Sequence, residues 1–435
     1  MKKILFIPLP AHGHINPTFK IAKILQEKGY RVAYMVDPTM KKLIEEQGFE
    51  IIIGPTFLFA SFEAMGVIDF AHKNIFERLI DRLSNRMLRV LQKNLVVYEE
   101  NIRRFAPDHI FLDIFLSYNY LLLKTKKPTT IIQTTVSAYQ DALIPPVNSS
   151  LQSRNTFRIK LEWIKYKISR RLKTLILFGD SGLGLTKRLL EKRDTKLDYS
   201  SLSWNKSYQV GITNIFEWVL SPTEFDFPKQ KPLKFQHHIG PTIDMNRIEI
   251  QSTHFNSLID CLDNRKIAYC SLGTLSVSHN KNAIEFLRKT VEVFSAKKDW
   301  ELIISCGQVD VNMLGIVSPN IHLFTRVPQL TMIRRSDLVI THGGHNTVIE
   351  CILLESPVLV FPLNSQSDQK GMAARVLYHK IGLSGDINKI TTAELASKVE
   401  MMINTPLFKE NVVKMSRIFN EKNDNLEKVL TDLNF

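Results

Sequence analysis

The sequence has few cysteines and no long apolar run, and each absence excludes a class of protein. Its four cysteines show no paired spacing, which argues against a disulfide framework or a zinc site. No Asp-x-Asp pair occurs in the chain, so we expect no metal bound through that motif. No apolar run approaches the length of a transmembrane helix. The four cysteines are expected to be reduced core residues: Cys261, Cys270, Cys306 and Cys351.

The start of the chain imitates a signal peptide, with Lys2 and Lys3 before a short apolar run. That run is too short for an export signal, Pro8 interrupts it, and no small-residue cleavage site follows. The sequence therefore predicts a cytoplasmic protein.

The net charge of +14 is unevenly distributed along the chain. Residues 1–220 contain 33 Lys+Arg and 20 Asp+Glu, whereas residues 221–435 contain 24 and 23. This asymmetry indicates an anionic partner for the first half, either a membrane surface or a nucleic acid. Because aromatic residues are not interleaved with the basic ones in a recognisable module, we expect no nucleic-acid partner.

Residues 151–173 form the most basic segment, with eight Lys and Arg and only one acid, Glu162. Aromatic and aliphatic residues alternate with the basic ones, from Phe157 to Leu175. Two interpretations remain open. The segment is either a solvated basic helix that packs its apolar side on the first domain, or a peripheral contact with the inner face of the membrane through residues 151–175.

The 435 residues, 44% of them hydrophobic, suit two globular domains. Short apolar runs alternate with helical patterns in both halves, which predicts two Rossmann-like, doubly wound parallel sheets. We expect a first domain over residues 1–240 and a second over 241–415, with a linker in the Pro-containing stretch 227–244. A last helix, about 416–435, is expected to pack back on the first domain.

Residues 341–350 combine an apolar strand end, paired glycines and the start of a helix. Such a turn directs backbone N–H groups and the positive end of the helix dipole at one point, which suits a phosphate. Glu350 lies one helical turn beyond Asn346, where its carboxylate can accept hydrogen bonds from a pair of sugar hydroxyls. An ordinary glycine turn would give the same pattern, so these residues alone do not decide between the two.

A strand order of 3-2-1-4-5 in each sheet would create two sites, because strands 1 and 4 are then neighbours. In the first domain the loop at residues 10–17 would lie beside Asp113. In the second, Gly273 and Thr274 would lie beside the turn at 342–344. One domain then offers a His and an Asp, and the other a phosphate cradle.

At this point the chain resembles a known family over essentially its full length. It is similar to the family 1 glycosyltransferases, or UDP-glycosyltransferases, whose GT-B fold has two Rossmann-like domains facing a cleft. The bacterial branch that glycosylates macrolides and carotenoids is the most similar. The resemblance rests on residues 10–17, Pro-Ala-His-Gly-His-Ile-Asn-Pro, on residues 271–274, Ser-Leu-Gly-Thr, and on Val327-Pro328-Gln329, the 341–350 segment and Asp368-Gln369 in order.

The resemblance implies an inverting transfer of a hexosyl group, glucose in the expected case, from a UDP-sugar to a hydroxyl of a small lipophilic acceptor. His14 would be the general base and Asp113 would orient it. The UDP-sugar is then a donor substrate, with no permanently bound cofactor and no metal. The donor-binding positions would be Gly13, Thr274, Arg326, Val327, Gln329, His342, Gly344, Asn346, Thr347, Glu350, Asp368 and Gln369.

The chain departs from the family pattern in two places. Arg326 stands where many relatives have an aromatic residue against the base, although its planar guanidinium can also stack. The loop at 363–367 is about two residues longer than usual, which leaves the sugar contacts open. Two histidines are ambiguous: a structural role is favoured for His12, whose side chain can face away from the crevice, and His345 is either on the acceptor side or solvated.

Two other functions fit parts of the pattern. A sugar-nucleotide epimerase of the same fold would place carboxylates near the sugar, whereas this chain has a His-Asp pair on the opposite domain. A non-catalytic auxiliary protein that activates a transferase would lack His14 or Glu350, and both are present.

Overall fold

The computed structural model describes most of the chain. The described ranges are 1–55, 86–124, 126–152, 155–176, 182–207, 210–229, 233–249, 252–262, 265–273, 281–307, 309–364 and 367–432. Thr274, a predicted donor-binding residue, lies outside them.

Within these ranges, fifteen strands form two large parallel sheets and one small hairpin. In chain order they are β1 Lys3–Ile7, β2 Arg31–Val36, β3 Glu50–Ile53, β4 His109–Asp113, β5 Thr129–Gln133, β6 Leu202–Ser203, β7 Gly211–Ile212, β8 Phe216–Val219, β9 Gln236–His238, β10 Lys266–Ser271, β11 Trp300–Ser305, β12 Ile321–Phe324, β13 Leu338–Thr341, β14 Val358–Val360 and β15 Gly382–Ser384.

The strand orders are β3-β2-β1-β4-β5-β8-β9 in the first sheet and β12-β11-β10-β13-β14-β15 in the second. Both contain the predicted 3-2-1-4-5 order, so the two doubly wound parallel sheets expected from the sequence are confirmed. In the first sheet β1 pairs in parallel with β4, with Ile7 opposite Leu112. In the second, β10 pairs with β13, with Ser271 opposite Thr341. In each sheet, the two loops that follow these paired strands therefore begin next to each other at the same edge.

Helices connect the strands. In chain order they are α1 His12–Ile15, α2 Phe19–Glu27, α3 Lys41–Glu46, α4 Arg86–Phe105, α5 Ser117–Leu122, α6 Thr156–Ile176, α7 Gly182–Glu191, α8 Thr253–Cys261, α9 Lys281–Ser295, α10 Gln329–Arg335, α11 His345–Leu353, α12 Gln369–Tyr378, α13 Thr392–Asn404 and α14 Pro406–Asp432. None of the helices in the described ranges is long and apolar enough to cross a bilayer.

Alternate residues of the central strands enter different cores, as the period of two requires. In β1, Leu5 joins a core that includes α4 and α7, whereas Phe6 joins one that includes α2. Leu426 and Leu430 near the end of α14 belong to the same core as Phe6. The end of the last helix, α14, thus packs against the first sheet, although this helix follows the second sheet in the chain.

Two expectations need correction. The proposed linker, residues 227–244, contains β9, the edge strand of the first sheet, so the chain leaves that sheet only after His238. Cys261 is exposed at the end of α8, whereas the other three cysteines are buried as expected. The domain boundaries at 240 and 415 stay predictions.

Candidate active site

The first cluster of polar side chains lies where β1 and β4 end. After β1 the chain turns at Pro10 and Ala11 into the one-turn helix α1, which carries His14. The ring Nδ1 of His14 lies 2.8 Å from Asp113 Oδ2 at the end of β4. The other oxygen of Asp113 accepts a hydrogen bond from the backbone N–H of Phe115 at 2.9 Å. Because its side chain is buried and held at both oxygens, Asp113 fixes the orientation of the imidazole.

Thr134 is a third member of this cluster, and the sequence reasoning missed it. Its Oγ1 lies 3.1 Å from the same Nδ1 of His14. Thr134 follows β5 directly, and β5 is the neighbour of β4, so the strand order was the signal that could have found it. Nδ1 beside the Asp113 carboxylate carries the proton, which leaves Nε2 as the basic nitrogen, and no hydrogen bond joins Nε2 to any described residue.

The pKa of His14 is higher than the ordinary value of 6.5. Burial alone would lower this pKa, but the charge of Asp113 and its hydrogen bond outweigh burial, and Asp368 adds a smaller effect of the same sign. The ring of Phe115 covers one side of the imidazole, edge to face, at 5.3 Å between centroids. His14 is therefore a stronger base than a free imidazole.

The second cluster is the turn between β13 and α11. Gly273 and Gly343 both adopt positive φ, at +87° and +83°, which glycine accepts without strain. The ring of His342 packs between Gly273 and Gly344, where an added Cβ would come within 2.8 and 2.9 Å of it. Burial lowers the pKa of His342 to about 4, so this side chain is neutral at physiological pH.

The N-terminus of α11 lies next to the His14 loop. Gly344 occupies the N-cap position, and within the described ranges no side-chain cap accepts from the first N–H groups of this nine-residue helix. The amide of Asn346 donates a hydrogen bond to the backbone carbonyl of Gly13 at 2.8 Å. This contact joins the two clusters across the cleft.

Glu350 is almost fully buried and lies in a network that the sequence did not reveal. One carboxylate oxygen accepts from the guanidinium of Arg247, and the other accepts from the amide of Gln329. Arg247 also pairs with Glu249, at 2.7 Å. The Gln329 amide lies 3.3 Å from Thr347 Oγ1, so three predicted nucleoside or diphosphate residues meet here.

The remaining predicted residues lie along the same cleft. Asp368 is the N-cap residue of α12, and burial raises its pKa. The side chain of Gln369 accepts from the backbone N–H groups of Leu363 and Asn364, so it holds the first residues of the long 363–367 loop. Val327 is buried, and Arg326 is exposed. The described part of the chain contains no group of three His, Cys, Asp or Glu residues that could hold a metal ion.

The structure contradicts the orientation expected for His12 and one of the two alternatives for His345. His12 does not face away from the crevice, because its Nε2 lies 3.4 Å from Nη1 of Arg326 in the other domain. Burial and the charges of Arg326 and Arg247 lower the pKa of His12. His345 is buried, not solvated, and its ring packs edge to face against Phe225.

Comparison with known proteins identifies a family that this chain matches. The sequence profile of the family described as "UDP-glucoronosyl and UDP-glucosyl transferase" matches residues 199–427. An uncharacterized UDP-glucosyltransferase of Bacillus subtilis, YdhE, is 24% identical, over 99% of this chain and 97% of its own length. The zeaxanthin glucosyltransferase of Pantoea ananas is 27% identical over 44% of this chain and 42% of its own length. Among solved structures, the glycotransferase of kitacinnamycin superposes with a TM-score of 0.67 at 20% identity, covering 99% of this chain and 97% of that one.

Proposed function

The chain belongs to the UDP-glucoronosyl and UDP-glucosyl transferase family and is a glycosyltransferase of the GT-B fold, and on that premise we propose its substrates and mechanism. It transfers a hexosyl group, glucose in the first instance, from a UDP-sugar to a hydroxyl of a small lipophilic acceptor with inversion at the sugar. The hydrogen bond from Asn346 to Gly13 carries this proposal, because it brings an uncapped helix N-terminus beside the His14–Asp113 pair.

His14 acts as the general base. Its Nε2 takes the proton of the acceptor hydroxyl while that oxygen attacks the anomeric carbon from the side opposite the diphosphate. The bond between the anomeric carbon and the diphosphate oxygen breaks, and its electron pair leaves with UDP. Asp113 holds the Nδ1–H tautomer and stabilises the imidazolium that forms, in the way that triad carboxylates do.

The leaving diphosphate is stabilised at the start of α11. The backbone N–H groups of the first turn meet its growing negative charge, and Asn346 and Thr347 lie on that turn. We assign the neutral imidazole of His342, which packs between Gly273 and Gly344, to the same subsite. Gly13 has no side chain that would obstruct the diphosphate, and the space into which a Cβ would point is open. We assign Gly344 and Thr274 to the same subsite by the family resemblance.

The nucleoside occupies the cleft beside α10. Glu350 accepts hydrogen bonds from the ribose diol in place of the Gln329 amide, and Gln329 then turns to the nucleoside. Arg326 stacks its guanidinium on the base, beside Val327. Asp368 and Gln369 meet the hydroxyls of the transferred sugar. A lipophilic acceptor agrees with the zeaxanthin glucosyltransferase among the relatives.

Replacing Glu350 with Ala is expected to weaken UDP binding by about 1–3 kcal/mol, because the ribose diol loses a charged acceptor. Isothermal titration calorimetry with UDP measures the change. Glu249→Ala is the matched control, because each variant leaves Arg247 with one carboxylate. An unchanged affinity in Glu350→Ala, or an equal loss in both variants, would argue against the ribose contact.

A substrate screen tests the proposed function. Purified protein is incubated with UDP- and TDP-linked sugars and a panel of lipophilic alcohols, and both the nucleotide released and the glycoside formed are quantified. We expect release of UDP that depends on an acceptor, with glycoside formed in equal amount. Conversion of the UDP-sugar to an isomer without glycoside would indicate an epimerase instead.

A further inference from the structure

Among the described residues, helix α6 packs on the rest of the protein through one face. Ile159 and Trp163 are buried on this face, and the indole Nε1–H of Trp163 donates to the carbonyl of Ile144 at 2.9 Å. On the same side Lys167 donates to Gln140 at 2.8 Å, and Arg170 donates to the carbonyl of Lys206 at 3.1 Å. The packing face of this basic helix is thus fixed to the loop that follows β5 and to residues near 206.

The opposite face of α6 carries a row of exposed apolar side chains, the apolar row. Spacings of three and four residues place these side chains on one side of a helix. Their exposed fractions lie between 39% and 67%. Single exposed apolar residues are normal on a protein surface, but a contiguous row of them marks an interaction site. The apolar row consists of Phe157, Leu161, Ile164, Ile168 and Leu172.

Basic side chains flank the apolar row on both sides. At 100° per residue, Arg158 and Lys165 lie along one border, and Lys160 and Arg171 lie along the other. Lys165 pairs with Glu162 at 3.3 Å. Within the described residues, the side chains of Arg158, Lys160 and Arg171 are exposed and make no hydrogen bond or ion pair. This surface combines apolar contact area with uncompensated positive charge.

We propose that the apolar row docks α6 on the surface of an anionic lipid bilayer. The helix lies in the interface, with its apolar side chains among the acyl chains and the flanking basic residues at the anionic headgroups. A second copy of this chain is a poorer occupant, because two such surfaces would bring like charges together. The excess of 33 basic over 20 acidic residues in positions 1–220 attracts the same membrane.

Docking would also serve the proposed reaction. The loop that holds α6 begins at Thr134, next to His14, and reaches Ile144, which accepts from Trp163. A lipophilic acceptor that is dissolved in the bilayer would thus be taken up by the part of the protein that carries the general base. This last step rests on the proposed function, whereas the docking itself does not.

Vesicle co-sedimentation of the full chain, without substrates, tests the docking. One vesicle population contains phosphatidylglycerol and phosphatidylcholine in equal amounts, and the other contains phosphatidylcholine only. The wild-type protein is expected to pellet with the anionic vesicles at low salt and to be released by high salt. Failure to pellet with anionic vesicles at low salt would overturn the proposal.

Two variants separate the apolar and electrostatic contributions. The double variant Ile164→Ser with Ile168→Ser is expected to lower the partition coefficient at least about tenfold. Replacing Arg158, Lys160 and Arg171 with Gln is expected to lower it about a hundredfold. The control for the apolar variant is Val96→Ser with Val97→Ser, two exposed apolar residues of α4. The control for the charge variant replaces the exposed residues Lys41, Lys42 and Lys93 with Gln.

The controls decide whether the apolar row is the site. We expect both to bind nearly as the wild type, apart from a smaller effect of net charge in the lysine variant. If the α6 variants bind vesicles as tightly as the controls, the proposal fails. It also fails if light scattering in vesicle-free buffer shows a dimer that the Ile164→Ser/Ile168→Ser variant dissociates. Because binding is measured without a sugar donor, these outcomes do not depend on catalysis.

Discussion

Replacing His14 with Ala is expected to lower the rate of sugar transfer by about 10²–10⁴-fold, because the acceptor hydroxyl loses its general base. Binding of UDP should be nearly unchanged, since the imidazole is held by Asp113 and Thr134 on the acceptor side of the cleft. Steady-state transfer and calorimetry with UDP, on the same preparations, measure both quantities.

His12→Ala is the matched control for His14→Ala. His12 lies on the same short helix but has no carboxylate partner, and its ring lies near Arg326. We expect its removal to change the rate of transfer by less than about tenfold. Transfer at the wild-type rate in His14→Ala would remove His14 from the mechanism, and an equal loss in both variants would indicate damage to the helix instead.

Asp113→Asn is expected to lower transfer by up to about 10⁴-fold, comparable to the loss in His14→Ala. The amide can still accept from the N–H of Phe115, so the turn after β4 is retained. Its NH₂ group would then face Nδ1 of His14 and favour the tautomer that carries the proton on Nε2. That nitrogen could no longer accept a proton from the acceptor hydroxyl.

The pH dependence of the same variant separates tautomer control from simple disruption. Asp113 raises the pKa of His14 against the opposing effect of burial. The acid limb of kcat/KM in the wild type should therefore lie above 6.5, because the neutral imidazole is the active form. In Asp113→Asn burial is the one large effect left on the pKa of His14. The acid limb of kcat/KM should therefore move to lower pH, while the value of kcat/KM at its plateau falls. A limb at the same pH in both proteins would contradict this role of Asp113.

The fold was largely predictable because the central strands are short apolar runs with clear boundaries. Their order followed from the general rules for doubly wound sheets, and that order brought His14 and Asp113 together before any contact was known. The linker was misplaced because β9 has only three residues, Gln236–His238, too few for a hydrophobic pattern.

The missed site residues depend on contacts between distant parts of the chain. Arg247 meets Glu350 across 103 positions, and Thr134 meets His14 across 120. Neither residue belongs to a local motif, so no spacing could have indicated its partner. The exposure of the apolar row was equally hidden, because the pattern of α6 fits burial and docking alike until Trp163 shows which face is packed.

The configuration of the product tests the central claim most directly. The wild-type protein is supplied with the best acceptor and with α-linked UDP-glucose, or with the α-linked UDP-sugar that the screen selects. Proton NMR then determines the anomeric configuration of the glycoside. A single displacement assisted by His14 predicts a β-glycoside formed together with UDP. An α-glycoside would contradict that mechanism.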